Sequence, residues 1–437
     1  MHVDVAFGKT GLGLELPEGF EYRVLEAHSA RPLKDALSAV EHALDNPLGC
    51  LPLAELASGK RTAAISVCDI TRPAPNRLVL PPLLERLERA GIGPEAVTIL
   101  IATGLHRPAP QSEIEEIVGA EIASRYRVLN HDARQLTEHA YLGTTRSGTP
   151  VYIDRRFIEA DLHITLGFIE PHLMLGYSGG RKLIAPGLAA QETIKVLHSS
   201  RFMRDARSHE GSIKDNPLHA ELLEIARMAR HDFLVDAALS RGAADYGRRP
   251  VSAIFAGAPE AAHGQGVAYV SRIMLETLEE PADAVITTAA GYPLDMTFYQ
   301  AVKGVTAASH IVKPGGRILL IAECSEGTGA PEFHRMVTEN SSGTAFLKKL
   351  DSAAVEVDQW QLEKLALVQQ NCELLFYVPG VSKADRTSLW GPSFDNVHEA
   401  VTELTSDLPA GARIAVIPEG PYVLARAKSR AEELVSP

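Results

Sequence analysis

The sequence predicts an α/β protein of two domains, each with a mostly parallel sheet flanked by helices and the active site in the crevice between them. Three observations lead there. Short apolar runs recur along the chain, each ending in a polar loop marked by glycine or proline and followed by helical periodicity, the pattern of alternating strands and helices. The pattern breaks at Pro281 and starts afresh. The 437 residues are 45% hydrophobic and 22% charged, an ordinary globular composition with material for a large core, and at roughly 150 residues per domain the length allows two or three domains.

In chain order, Gly8, Gly11 and Gly13 mark an N-terminal hairpin. Arg61 to Asp69 (RTAAISVCD) reads as a strand ending in DITRPAP, where Asp69 or Thr71 is placed to cap a following helix and Pro73 suits its first turn. Val97 to Gly104 (VTILIATG) repeats the pattern, with LHRPAP and a capping-box spacing from Ser112 to Glu115 ahead of IEEIVG. Leu162 to Gly167 (LHITLG) opens into FIEPHLMLGYSGGRKLIAPG before a helix from about Gln191 to His198. Ligands of such sheets bind at the carboxyl ends of the strands.

A helical stretch from Ala258 to Glu279 leads to the break at Pro281, which divides the chain into residues 1–280 and 281–437, with roughly the last 20 residues expected to pack back on the first domain. The second part begins with a strand at Ala284–Thr288. The loop AAGYPLD, a helix from about Thr297 to Ala308, a turn at Lys313–Gly316 (KPGG) and a strand at Arg317–Ala322 complete a βαβ unit. Glu373–Val378 and Arg413–Ile417 add two strands.

Composition narrows the function. Lysine and arginine number 43 against 55 aspartate and glutamate, a formal charge of −12, and no basic tract carries interleaved aromatics, so nucleic acid is not an expected partner. No apolar run is long enough to span a membrane, and none follows a basic N-terminal region, which predicts a cytoplasmic protein. The four cysteines, Cys50, Cys68, Cys324 and Cys372, form no CxxC pair, against a disulfide framework or zinc ribbon.

GYSGGRK, Gly176 to Lys182, is the strongest local signal, because its three glycines let backbone N–H groups approach a phosphate; a plain tight turn is the competing reading. It lacks the spacing of a Walker A loop, and the chain has no strand, GxGxxG, helix fingerprint. His106 and His172 lie in the loops after the second and third strands. Two imidazoles there suit a racemase, which needs a proton acceptor on each face of a stereocentre, although hydrogen-bonded loop histidines are commoner. His163 and His209 are left to that commoner fate.

Lys182, beside Arg181, reads as an activated nucleophile or as a phosphate-binding cation, and His198 as its neighbour across a short helix or as a charge at a helix C-terminus. Tyr299, Gln300 and Lys303 share adjoining positions of one helix and suit a carboxylate, with Arg72 and Arg107 adding local positive charge.

Taken together, DITRP, ATGLHRP, EPHLMLGYSGGRKLIAPG with His198 downstream, YPLDMTFYQAVKG and DQWQ resemble the nickel-dependent lactate racemases and their 2-hydroxyacid racemase relatives, in order from residue 69 to about residue 360. Ile70 stands where the family often has histidine. The resemblance implies a nickel pincer nucleotide (pyridinium-3-thioamide-5-thiocarboxylic acid mononucleotide) joined covalently to Lys182, with nickel bound by His198. It implies catalytic bases at His106 and His172, and cofactor contacts at Asp69, Thr71, Gly176, Ser178, Gly179 and Gly180. Substrate contacts fall on Arg72, Tyr299, Gln300, Lys303 and Trp360. Cofactor-synthesis proteins are the implied partners. The first domain then holds cofactor and catalysis, and the second contacts substrate.

In the implied mechanism one histidine takes the hydroxyl proton while the C2 hydrogen moves as hydride to the pyridinium ring. The planar 2-oxo acid reorients, and hydride and proton return to the other face. The expected substrate is a short 2-hydroxycarboxylate, lactate first. Malate, 2-hydroxyglutarate and a gluconate-type sugar acid are alternatives, since Trp360 reads either as the wall of a small apolar pocket or as core. From other classes, an NAD-dependent hydroxyacid dehydrogenase is opposed by the missing dinucleotide fingerprint, and a non-catalytic nucleotide- or anion-binding protein by the full set of His106, His172 and Lys182.

Overall fold

The computed structural model describes residues 1–26, 28–240, 249–351 and 353–428. They form two compact units, one of Ser29–Leu197 with Asp215–Ile273 and the other of Met1–His28, His198–Lys214 and Met274–Pro437. The sequence division at residue 281 runs near the crossing at Met274. The first 28 residues and the His198–Lys214 segment, which sequence order assigned to the first domain, belong with the C-terminal sheet. The cause is a pairing between opposite ends of the chain, in which Glu21–Val24 lies parallel beside Arg413–Ile417.

The unit around Ser29–Leu197 holds a six-stranded sheet in the order Val251–Gly257, Phe233–Leu239, Leu162–Phe168, Ala63–Cys68, Val97–Ala102, Arg127–Asn130. All neighbours are parallel except the first pair. Ala63–Cys68 and Leu162–Phe168 are buried along their whole length, as strands covered on both faces by helices must be, and this accounts for their continuous apolar runs. Helices Asn76–Arg89 and Gln111–Val118 follow the loops DITRPAP and LHRPAP, but both cap predictions fail. Their N-caps are Pro75 and Pro110, neither with a side-chain cap, and Asp69 turns its carboxylate elsewhere.

The other unit holds a five-stranded parallel sheet in the order Glu373–Tyr377, Val312–Ile321, Ala282–Thr288, Arg413–Ile417, Glu21–Val24. The turn read at KPGG is a looped-out bulge: Ala282 pairs with Val312 and Ala284 with Arg317, while Gly315 takes φ +74°. The helical stretch predicted to run to Glu279 stops at Met274. Leu275–Leu278 is instead a strand paired in parallel with Leu424–Ala427, so the described end of the chain packs in this unit, against a strand that the sequence division at residue 281 had placed in the first domain. The N-terminal hairpin forms as read, His2–Val5 against Leu12–Glu15.

A buried polar network braces this second unit. The Glu210 carboxylate accepts from Thr306 Oγ1 at 2.7 Å and from His310 Nε2 at 2.7 Å, while Arg426 donates to the Glu210 backbone carbonyl. Burial alone would push the Glu210 carboxyl up; His310 and Arg426 hold it down to about 2.

Candidate active site

In the six-stranded sheet the chain moves from Ala63–Cys68 outward to Val97–Ala102 and Arg127–Asn130, then returns on the other side to Leu162–Phe168. That reversal is a topological switch point, and the loops leaving the three central strands share one edge of the sheet. Cys68 lies opposite Ala102, and Val67 opposite Leu166. The loops beginning at Asp69, Thr103 and Ile169 therefore start side by side, and they carry Asp69, Arg72, His106 and His172.

Asp69 organises the first two loops. Its Oδ1 accepts from Thr71 N at 3.2 Å and Thr71 Oγ1 at 2.6 Å, and its Oδ2 meets His106 Nδ1 at 2.6 Å. Burial would raise the Asp69 carboxyl, but the hydrogen bonds from His106 and Thr71, with the nearby Arg72 charge, bring it below the usual carboxylate range. An ionised carboxylate only accepts, so His106 Nδ1 carries the proton and Nε2 presents a lone pair from a half-exposed ring. His172 has the opposite setting: its Nδ1 accepts from Met174 N at 3.3 Å and Leu175 N at 3.4 Å, which leaves the ring proton on Nε2. In these tautomers His106 can accept a proton through Nε2, and His172 presents Nε2–H as a hydrogen-bond donor.

GYSGGRK is held by its own loop. Gly176 and Tyr177 pair with His172 and Pro171. Ser178 N donates to Glu170 O, Gly180 N to Asp236 Oδ1 at 3.3 Å and Lys182 N to Gly179 O. The Ser178 hydroxyl accepts from Glu170 N and donates to Phe168 O. These three donors are used within the turn, and glycine is needed because Gly179 and Gly180 sit at φ +84° and +49°. A Cβ at Gly179 would lie 2.5 Å from Asp236 Oδ2.

Arg181 points inward, its Nη1 on His263 Nε2 at 2.7 Å and its Nη2 on the carbonyls of Leu175 and Tyr177, and burial lowers it to about 10. It locks the loop from beneath, in place of the activating role assigned to it beside Lys182. The loop offers the half-buried Lys182 side chain, close enough to Cys68 for the two to interact electrostatically. Arg107 forms a two-pronged ion pair with Glu113 at 2.9 and 2.6 Å, so its charge is already matched; Arg72 Nη1 reaches the carbonyl and hydroxyl of Thr71.

The second unit gathers another set. Thr297 caps the helix Phe298–Ser309, and Tyr299, Gln300 and Lys303 are half-buried positions on it amid a buried face. Trp360, from the helix Gln359–Gln369, donates through Nε1 to Tyr299 OH at 3.2 Å, and its ring centroid lies 4.4 Å from that of His198. Tyr299, Trp360 and His198 thus form one cluster, and on the same helix as Tyr299, Gln300 Oε1 is buried without a hydrogen-bond partner.

His163 and His209 keep structural roles: His163 Nδ1 pairs with Asp232 at 2.7 Å inside a strand, and His209 Nδ1 lies 2.9 Å from Glu210 O. Among the described residues no three His, Cys, Asp or Glu side chains group to hold a metal ion. Burial pushes the Cys68 thiol up to about 12, and no described helix is long and apolar enough to cross a membrane.

Residues 7–211 match the model of the lactate racemase N-terminal domain, and residues 277–425 that of the lactate racemase C-terminal domain. The chain is 33% identical over 432 residues to a lactate racemase of Thermoanaerobacterium thermosaccharolyticum, covering 98% of this chain and 100% of that protein. It belongs to the lactate racemase family. A lactate racemase of Lactiplantibacillus plantarum is 32% identical over 394 residues, 89% of this chain and 90% of the relative. The solved lactate racemase apoprotein from T. thermosaccharolyticum superposes with a TM-score of 0.89 at 32% identity, covering 98% of this chain and 100% of that one. A Thermotoga maritima structure at 16% identity and TM-score 0.66, covering 92% of this chain and 100% of that one, shares the fold.

Family membership makes the chain an isomerase of the racemase type. For a lactate racemase-like site, sequence reading missed two things. One is Asp69 as the partner that orients His106, for which an acidic residue at a strand's carboxyl end was the available signal. The other is the His198–Trp360–Tyr299 cluster, made by residues too far apart in sequence to signal it.

Proposed function

We propose that the chain racemises a short 2-hydroxycarboxylate, with lactate as the first substrate, using His106 and His172 as the two acid/base groups. The observation that carries this is the complementary setting of the two rings on loops from one sheet edge, His106 with an outward lone pair fixed by Asp69 and His172 with its proton on Nε2.

The family's nickel pincer nucleotide fits the donor set. Among the described residues no three His, Cys, Asp or Glu side chains group around a metal site, and burial makes the Cys68 thiol a poor thiolate, which supports a reading in which the soft sulfur donors belong to the cofactor. Lys182 would hold it covalently, His198 would give the protein ligand to nickel, and Asp69, Thr71 and the Gly176–Gly180 turn would shape its seat. When bound, the cofactor supplies the acceptor that takes the C2 hydrogen as hydride and returns it.

The protein's own part is proton transfer and orientation. His106 Nε2 removes the hydroxyl proton of one enantiomer, and the Asp69 carboxylate stabilises the imidazolium that forms. Protonated His172 supplies a proton from Nε2 when the other enantiomer is completed and is left as neutral imidazole; in the reverse direction His172 takes the hydroxyl proton and His106, as imidazolium, returns one. Arg72, Tyr299, Gln300 and Lys303 are assigned to the carboxylate, and Trp360 to the C3 side. The test incubates cofactor-loaded protein with single enantiomers of lactate, malate, 2-hydroxyglutarate and gluconate, and follows inversion by chiral chromatography. Inversion of lactate is expected; inversion of a diacid or sugar acid alone would move the substrate assignment, and inversion of none would end it.

A further inference from the structure

His198 opens a segment, His198–Lys214, that packs with the second unit although the chain on either side of it belongs to the first. Its neighbour is the helix Gln359–Gln369, whose Trp360, Glu363 and Lys364 are all buried. Trp360 and Lys364 are four residues apart and share a face. His198 packs its ring on Trp360 at 4.4 Å. One turn further along, Lys364 Nζ donates to Met203 O at 2.8 Å and Ser208 O at 2.7 Å, and Arg204 Nε donates to Glu363 Oε1 at 2.7 Å.

Met203 ends the short helix Ser200–Met203, where carbonyls lack helical partners and a cation is favoured. A buried ammonium is costly unless its hydrogen bonds are made. The two carbonyls that accept from Lys364 both belong to the segment that carries His198. An aliphatic residue would fill the same space without holding that backbone in register.

We infer that Lys364 is the positioning residue for His198, fixing the segment along the Gln359–Gln369 helix so that the imidazole stays against Trp360. The functional meaning rests on His198 being the nickel ligand; the positioning itself does not, and the test separates the two.

Cofactor-free full-length Lys364→Met and Lys364→Arg proteins are compared with wild type by hydrogen exchange of peptides covering residues 198–208, and by the tryptophan emission that Trp360→Phe removes. In Lys364→Met, exchange over 198–208 should rise about tenfold and the Trp360 emission should shift, while peptides of Ala282–Thr288 stay protected. Lys364→Arg should restore both. Should Lys364→Met fail to fold, Lys364→Gln serves, with an intermediate rise expected. Unchanged exchange over 198–208, a rise shared equally by Ala282–Thr288, or failure of arginine to restore the signals would overturn the inference. In cofactor-loaded protein, Lys364→Met should lose nickel to a chelator about tenfold faster with the Lys182 adduct intact. Altered exchange and emission with unaltered nickel retention would uphold the positioning and refute His198 as the ligand.

Discussion

Replacing Asp69 with asparagine tests the proton-transfer scheme at its most constrained point. Asp69 Oδ1 already accepts from both Thr71 N and Thr71 Oγ1, whereas Oδ2 alone faces His106 Nδ1 at 2.6 Å. In Asp69→Asn the amide oxygen must remain on the two Thr71 donors, which turns the amide NH₂ toward His106. The imidazole then has to accept at Nδ1 and carry its proton on Nε2, the wrong tautomer for a base. A charge-assisted hydrogen bond is worth roughly 1.5–3 kcal/mol, which at about 1.4 kcal/mol per decade lowers kcat roughly 10- to 150-fold, before any added cost of the inverted tautomer. Thr71→Val, which removes one support of Asp69, should cost only about fivefold. The assay is initial racemisation rate from each enantiomer, with nickel measured per chain so that loading is held equal. Asp69→Asn within threefold of wild type at equal nickel content would refute the assignment of Asp69 as the partner that sets His106.

Lys182→Ala should abolish the covalent mass increment on protein produced with the cofactor-synthesis proteins, and His198→Ala should lose nickel while keeping part of that increment; intact mass and metal analysis read both. Glu210, held down to about 2 against an ordinary 4.5, contributes stability that is complete above pH 4.5 and is lost as pH falls toward 2. Glu210→Gln should therefore be less stable at neutral pH and lose less on acidification across that window, as followed by chemical denaturation. Gly179→Ala combines a left-handed backbone at φ +84° with a Cβ 2.5 Å from the Asp236 carboxylate, and should destabilise by about 2–4 kcal/mol in thermal or denaturant melts. A change under 1 kcal/mol would mean that the turn relaxes around the added methyl.

Local chemistry was legible in the sequence because it is written in contiguous residues. The apolar runs at Ala63–Cys68, Val97–Ala102 and Leu162–Phe168 announced parallel strands, and the polar loops after the last two held His106 and His172 where such sheets bind ligands. Motif blocks along nearly the whole chain carried the family. Tertiary structure alone decided how the parts were shared out. Glu21–Val24 joins a sheet with Arg413–Ile417, and His198–Lys214 leaves the unit of its neighbours, because backbone pairing and burial act across any sequence separation whereas periodicity reports only neighbours. The same reason explains the individual side chains. Asp69 was read as a helix cap, Arg181 as the neighbour that activates Lys182 and Arg107 as local positive charge, each from its nearest residues. Their partners, His106, His263 and Glu113, are fixed by where the chain returns.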